Sequence, residues 1–113
     1  MTARFMNPFR MTLRKARPSD ARFLFELRND PDVVSASASG AGVDWPFHQA
    51  WFAYKLQQGA RLYIVELEGE PSGYIRFDET GNPAEYEVAV GLLARARNLG
   101  VGRRLIELAS QLN

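Results

Sequence analysis

Arg97, Asn98, Leu99, Gly100, Val101 and Gly102 stand between an apolar, β-branched stretch, residues 85–93, and a segment of helical periodicity, residues 101–112. In that segment Val101, Leu105, Leu108, Ala109 and Leu112 fall on one face of a helix. Glycines at a helix entrance let the backbone approach a ligand closely. The free N–H groups of the first turn, aided by the helix dipole, suit a phosphate group. The chemistry these residues offer is therefore a cradle for a phosphate or pyrophosphate. A Walker loop would need Lys and Ser or Thr after its last glycine, and the dinucleotide fingerprint would need a glycine where Leu105 stands.

Composition bounds what can surround such a cradle. The chain has 113 residues, 46% of them hydrophobic and 24% charged, which fits one modest globular domain. A net charge of +1 makes no general case for nucleic acid or an anionic membrane as partner. Cysteine is absent, so there is no thiol nucleophile, disulfide or cysteine-ligated zinc. With a single histidine, a multi-histidine metal site within one chain is excluded, and no metal is expected. The opening residues, broken by Arg and Pro, support neither a signal peptide nor a spanning helix, which makes the cytoplasm the default location.

The elements that must position the loop read as follows. Residues 1–11 form a loose extension, and residues 12–16 a first strand ended before Pro18. Ser19 or Asp20 caps a helix over residues 21–29 with Phe23, Leu24 and Leu27 inward, and Asn29-Asp30-Pro31 stops it. Residues 35–42 are small, polar and glycine-bearing, either a lid or a plain surface loop. A second helix over residues 47–58 is expected to turn Phe47, Ala50, Trp51 and Tyr54 inward and to end at Gly59. His48, on that helix, reads as a packed or hydrogen-bonded side chain, since no nucleophile or partner acid is near it in sequence. Residues 61–67 and 72–78 pair as an antiparallel hairpin, and residues 80–83 turn the chain into the strand before the loop. No linker or internal repeat interrupts this order, so the class is α+β, helices packed on a mostly antiparallel sheet.

The loop also fits a more specific pattern: Arg or Gln, two residues, Gly, one residue, then Gly or Ala, filled here by Arg97, Gly100 and Gly102. With its flanking strand and helix it resembles the coenzyme A motif of the GNAT superfamily of N-acetyltransferases. The order of elements resembles the first two thirds of that fold, and residues 12–113 are read as a GNAT-like domain lacking its C-terminal strands. Three passages look like the branch holding amino-sugar-nucleotide and ribosomal-protein alanine acetyltransferases: Leu27-Arg28-Asn29-Asp30-Pro31, then His48 with Trp51 and Phe52, then Glu87. The resemblance implies acetyl-CoA as co-substrate. It implies a cradle of backbone N–H groups from Leu99 to Arg103, with Arg97 and Asn98 in the same loop. It also implies that the backbone of Leu92, Leu93 and Ala94 pairs with the pantetheine arm. Arg103 and Arg104 meet cofactor phosphates or solvent.

Acyl transfer to an amine needs an unprotonated amine, an aligned thioester and a base. Glu87 is the candidate base, direct or through a water, and Glu85, two residues back, is the second carboxylate; both would otherwise be ordinary solvent-facing strand residues. In a GNAT fold another strand follows this helix, and a tyrosine beyond it commonly protonates the leaving thiolate. The sequence stops at Asn113. It is read as a fragment, or as a chain completed by another, expected to turn over weakly alone and to self-associate through the open edge at residues 88–92.

The acceptor stays open between an amino sugar nucleotide, a protein N-terminus, a polyamine and another small amine. A non-catalytic acyl-CoA-binding module would use the same loop. A protein-interaction module would instead rely on Trp45, Trp51 and Phe52. Gly100→Val separates the last from the others: it should weaken acetyl-CoA binding at least about tenfold by titration calorimetry while leaving the circular dichroism spectrum intact. Unchanged binding would remove the loop from the site.

Overall fold

The computed structural model describes residues 10–36, 42–97 and 101–110. Its framework is a four-stranded sheet in the order β1 (Met11–Lys15), β2 (Arg61–Leu67), β3 (Glu70–Glu79), β4 (Tyr86–Leu92), every neighbouring pair antiparallel. The β2–β3 connection is a two-residue turn, with Glu68 and Gly69 both at positive φ (53° and 81°), the hand that matches strand twist. Near the start of β3, where it meets the end of β4, two glycines let the backbones meet closely: a Cβ on Gly73 would collide with the Gly91 carbonyl and the Leu92 side chain.

Strand alternation gives the sheet two covered faces. On one, Met11, Val65, Leu67, Ile75 and Phe77 pack with Ala96 and with Val101 and Leu105 of α4 (Val101–Ser110). On the other, Ala16, Leu62 and Ile64 pack with Leu24 of α1 (Ala21–Arg28) and Phe52 of α3 (Trp45–Gln57). The helical stripe expected for α4 is seen in Val101, Leu105 and Leu108, whereas Ala109 and Leu112 lie outside the described side chains.

Several local expectations are corrected. Asp20 does not cap α1 with its side chain. A 3-10 turn, Pro18–Asp20, precedes the helix, and the carboxylate accepts from Arg14 (2.8 Å to each oxygen) and from the Arg17 N–H (2.7 Å). Burial of this carboxyl opposes ionisation, but the Arg14 hydrogen bonds and the Arg17 N–H outweigh it and hold Asp20 below the usual carboxylate range. The turn at Asn29-Asp30-Pro31 opens a further short helix, α2 (Pro31–Ala36), with Asp30 Oδ1 accepting from the N–H groups of Asp32 and Val33. Of the small-residue loop, residues 37–41 lie outside the described residues.

The phase of α3 also differs. Asp44 accepts from Phe47 N at 2.9 Å, so the helix starts at Trp45. Phe47 and Tyr54 are each 58% exposed and Ala50 is exposed, while His48 and Phe52 are buried and Trp51 half-buried. Apolar residues surround this helix, so periodicity could not choose the inward face; packing did. Gly59, at φ 70°, ends it as expected.

His48 is enclosed by Phe25, Trp45, Trp51 and Phe52, with ring centroids 5.5 to 6.0 Å away. Its Nε2 lies 2.9 Å from the Ala21 carbonyl and its Nδ1 3.2 Å from Arg28 Nη1. A guanidinium only donates, so Nδ1 accepts and Nε2 carries the proton, which is the neutral tautomer that satisfies both contacts. Burial pushes the His48 pKa below 6.5 and the Arg28 charge adds to this, against the Ala21 carbonyl, which favours the protonated ring.

The unfolded chain takes up this proton as pH falls through about 6.5, and the folded chain only at lower pH. Stability from this group is therefore complete above 6.5 and lost as pH falls toward the folded value. The melting temperature should drop between pH 7.5 and 5.5, and less so in His48→Gln. As the chain has one histidine, proton NMR can read it directly; titration at or above 6.5 would contradict this account.

Candidate functional site

The candidate site lies where β4 ends and α4 begins. A 3-10 turn, Ala94–Ala96, follows β4, and Asn98, Leu99 and Gly100 lie outside the described residues. Of the proposed cradle, Val101, Gly102 and Arg103 can be placed. Val101 is buried against the sheet, while Gly102 and Arg103 are exposed in the first turn of α4. A Cβ on Gly102 would meet nothing within 4 Å. Among the described residues the packing thus leaves that side of the helix start open, and the residues present fit an incoming phosphate group there. Arg104 pairs with Glu107 at 3.2 Å on the helix surface.

Arg97 points elsewhere. Its Nη1 lies 2.6 Å from Asp32 Oδ2, and its Nη2 donates to Asp30 Oδ1 (3.2 Å) and to the Leu92 carbonyl (2.7 Å). One guanidinium thereby ties the end of β4 to the start of α2. Against a desolvation that opposes it, Arg97 and the N–H groups of Asp32 and Val33 hold the Asp30 carboxyl below its ordinary range. The backbone expected to pair with pantetheine is also partly engaged: Leu93 N donates to Ser72 O (2.8 Å), and Leu93 O and Ala94 O accept from Ala96 N and Arg97 N. An arm pairing at the Leu92 carbonyl would share that oxygen with Arg97 or displace it.

The two candidate carboxylates stand at the other end of β4. Glu87 is exposed and sits opposite Asp78. Glu85 lies outside the strand, which begins at Tyr86; its N–H donates to the Asn82 carbonyl (2.9 Å) in the turn, at the rim of a shallow surface cavity with Glu79, Gly81, Asn82, Pro83 and Tyr86. The apolar surroundings expected for residues 85–93 are not supplied by the described residues: Val88 and Val90 are 53% and 44% exposed.

Sequence reasoning missed one group. Arg28, Trp51, Tyr74 and Arg76 gather on the helix-covered face of β3 and β4, around a narrow pocket. The signal was there in β3: Ile75 and Phe77 fill one face, which puts Arg76 on the other face, also helix-covered, of a central strand. A charge in such a place calls for an explanation. Among the described residues no group of acids and histidines is arranged to hold a metal, and no helix is long and apolar enough to cross a membrane.

The model of the acetyltransferase (GNAT) domain matches residues 10–112. No curated protein matches the chain. Among solved structures, a ribosomal-protein-alanine N-acetyltransferase from Brucella melitensis is 26% identical (TM-score 0.65), covering 88% of this chain and 65% of its own. An acetyltransferase from Salmonella typhimurium, solved with its cofactor acetyl-CoA, is 25% identical (TM-score 0.65; 87% and 60%). The aminoglycoside acetyltransferase AAC(6')-Ib, solved with coenzyme A, is 23% identical (TM-score 0.76; 91% and 66%) and shares the fold. The chain thus spans less than two thirds of the length of these structures. A family match over nearly every residue, joined to this sheet order and a glycine-bearing entrance to α4, means that the chain belongs to the GNAT acetyltransferase family.

Proposed function

We infer that the protein carrying this chain is an acetyl-CoA-dependent N-acetyltransferase acting on a primary amine, in the cytoplasm. The observation that carries this reading is the open first turn of α4 at Gly102, which follows β4 and the 3-10 turn Ala94–Ala96 in the chain. A helix entrance without side-chain obstruction supports binding of a pyrophosphate by backbone N–H groups, in line with the relatives solved with acetyl-CoA and coenzyme A. An amino sugar nucleotide is the acceptor that the sequence likeness favours.

Acetyl-CoA supplies an activated acetyl group: the amine nitrogen forms the new C–N bond, the C–S bond breaks, and the amine gives up a proton. Glu87 is the side chain proposed to take that proton, directly or through a water, with Glu85 in the preceding turn as the weaker candidate. Glu87 lies on the face of β4 that also carries Ala89 and Gly91, the side covered by α1 and α3. The unpaired edge of β4, whose Val88 and Val90 side chains are exposed on the opposite face, is proposed as the template for a further strand from this protein or a second copy. The loop at residues 97–102 binds and orients; it takes no part in proton transfer.

Titration calorimetry with acetyl-CoA should give micromolar affinity, about 8 kcal/mol, with ATP as the control that does not bind. In full-length protein, Glu87→Gln should lower kcat by roughly 100-fold or more at unchanged acetyl-CoA affinity, the scale of a lost general base. Unchanged kcat would assign the proton to another group. Absence of acetyl-CoA binding to full-length protein would end the acetyl-transfer reading.

A further inference from the structure

The two carboxylates that hold Arg97 are not equivalent. Asp32 makes the shorter contact, 2.6 Å against 3.2 Å for Asp30, but its side chain is 75% exposed, whereas those of Asp30 and Arg97 are 23% and 26% exposed. Solvent and salt screen an exposed pair, and holding a free side chain in one place costs entropy; a mostly covered pair keeps more of its attraction. Asp30 is also fixed independently of Arg97. Its N–H donates to the Leu27 carbonyl at the end of α1 (3.1 Å), and its Oδ1 accepts from the N–H groups of Asp32 (2.9 Å) and Val33 (3.4 Å). Asn29 beside it donates to the Phe25 carbonyl (3.0 Å) and accepts from Val43 N (2.8 Å). The Asp30 carboxylate thus stands on a braced corner, aimed before the guanidinium arrives.

What it holds is the approach to α4. The Arg97 N–H donates to the Ala94 carbonyl (3.1 Å), and Nη2 folds back to the Leu92 carbonyl (2.7 Å). The chain is gripped at Arg97 by its side chain and again at Val101, which is buried against the sheet. Backbone N–H donors at a helix entrance bind an anion well only when they are aimed in advance, because ordering them on binding costs affinity. Loosening the grip at Arg97 therefore weakens the site without removing any contact to the ligand.

We propose that Asp30 is a positioning residue for acetyl-CoA: it holds the Arg97 guanidinium on the corner after α1 and so fixes the chain leading into the open first turn of α4. The influence of Arg97 on the cofactor passes through this clasp, and Asp32 contributes little to it. The role rests on the acetyl-CoA reading given above.

The test is titration calorimetry of full-length protein with acetyl-CoA, well below the melting temperature of each variant. Asp30→Ser removes the contact with Arg97 while its hydroxyl can still cap the Asp32 and Val33 N–H groups, and should weaken binding about tenfold. Asp30→Asn keeps the acceptor and loses only the charge, so it should fall between Asp30→Ser and the unaltered protein. Arg97→Gln should match Asp30→Ser, and the double variant should be no weaker than either alone, since both remove one clasp. Asp32→Asn should stay within about threefold. A role confined to stability would lower the melting temperatures and leave these affinities alone. Acetyl-CoA affinity within twofold of the unaltered protein in Asp30→Ser, losses that multiply in the double variant, or a larger loss in Asp32→Asn than in Asp30→Ser would each overturn the role of Asp30 alone. Absence of binding by the unaltered protein would overturn the acetyl-CoA reading and this role with it.

Discussion

The seating of His48 between the two ends of α1 is the constraint on which the helix-covered half of the molecule depends. Its Nε2 reaches the carbonyl of Ala21, the first residue of α1, and its Nδ1 receives a hydrogen bond from Arg28, the last. This is possible because side chains on a helix lean toward its N-terminus, which brings the Arg28 guanidinium back along α1. A fully buried imidazole with one donor and one acceptor position is satisfied only when both ends of α1 are in register with α3. The aromatic shell of Phe25, Trp45, Trp51 and Phe52 then excludes water from the joint. The same contact places Arg28 over Trp51, so the packing of the core and the position of this guanidinium have one origin.

A second tie governs the cofactor side. Arg97 binds Asp30 and Asp32 across the fold and caps the Leu92 carbonyl at the end of β4. A guanidinium has donors enough to serve three oxygens at once, which a lysine could not do with the same fixed geometry. The motif arginine is thus a structural clasp in this state, while Gly102, in the first turn of α4, leaves that side of the helix start open among the described residues.

The sheet between these two ties is asymmetric. β2 and β3 are central and carry the residues with no measurable exposure, Ile64, Val65 and Ile75, whereas β4 presents Val88 and Val90 to solvent. Backbone and apolar surface are therefore available along the edge proposed to receive a further strand. The opposite face of the same strands holds the charges, with Arg28 and Arg76 at the pocket and Asp78 opposite Glu87 farther along. Apolar packing, ion pairing and open edge meet at β4, which is why a short strand carries so much of the functional argument.

The sequence by itself determined much of this. Residues 61–67 and the glycine-bearing entrance to the last helix were legible because they rest on local signals: β-branched alternation, a glycine at a positive-φ turn, a stripe at helical spacing. The packed role of His48 was legible for the same reason, since nothing near it in sequence offered a partner for chemistry. What only the tertiary structure decided were contacts between distant residues. The phase of α3 could not be read from a helix apolar on every side; burial of His48 and Phe52 set it, leaving Phe47 and Tyr54 outside. Arg97 reads in sequence as a position of the cofactor-binding motif, yet its carboxylate partners lie more than sixty residues away. Arg28 and Arg76 are ordinary in sequence and come together only when α1, α3 and β3 fold against one indole. Local pattern records which element a residue joins, whereas charge pairing and burial depend on what the fold brings beside it.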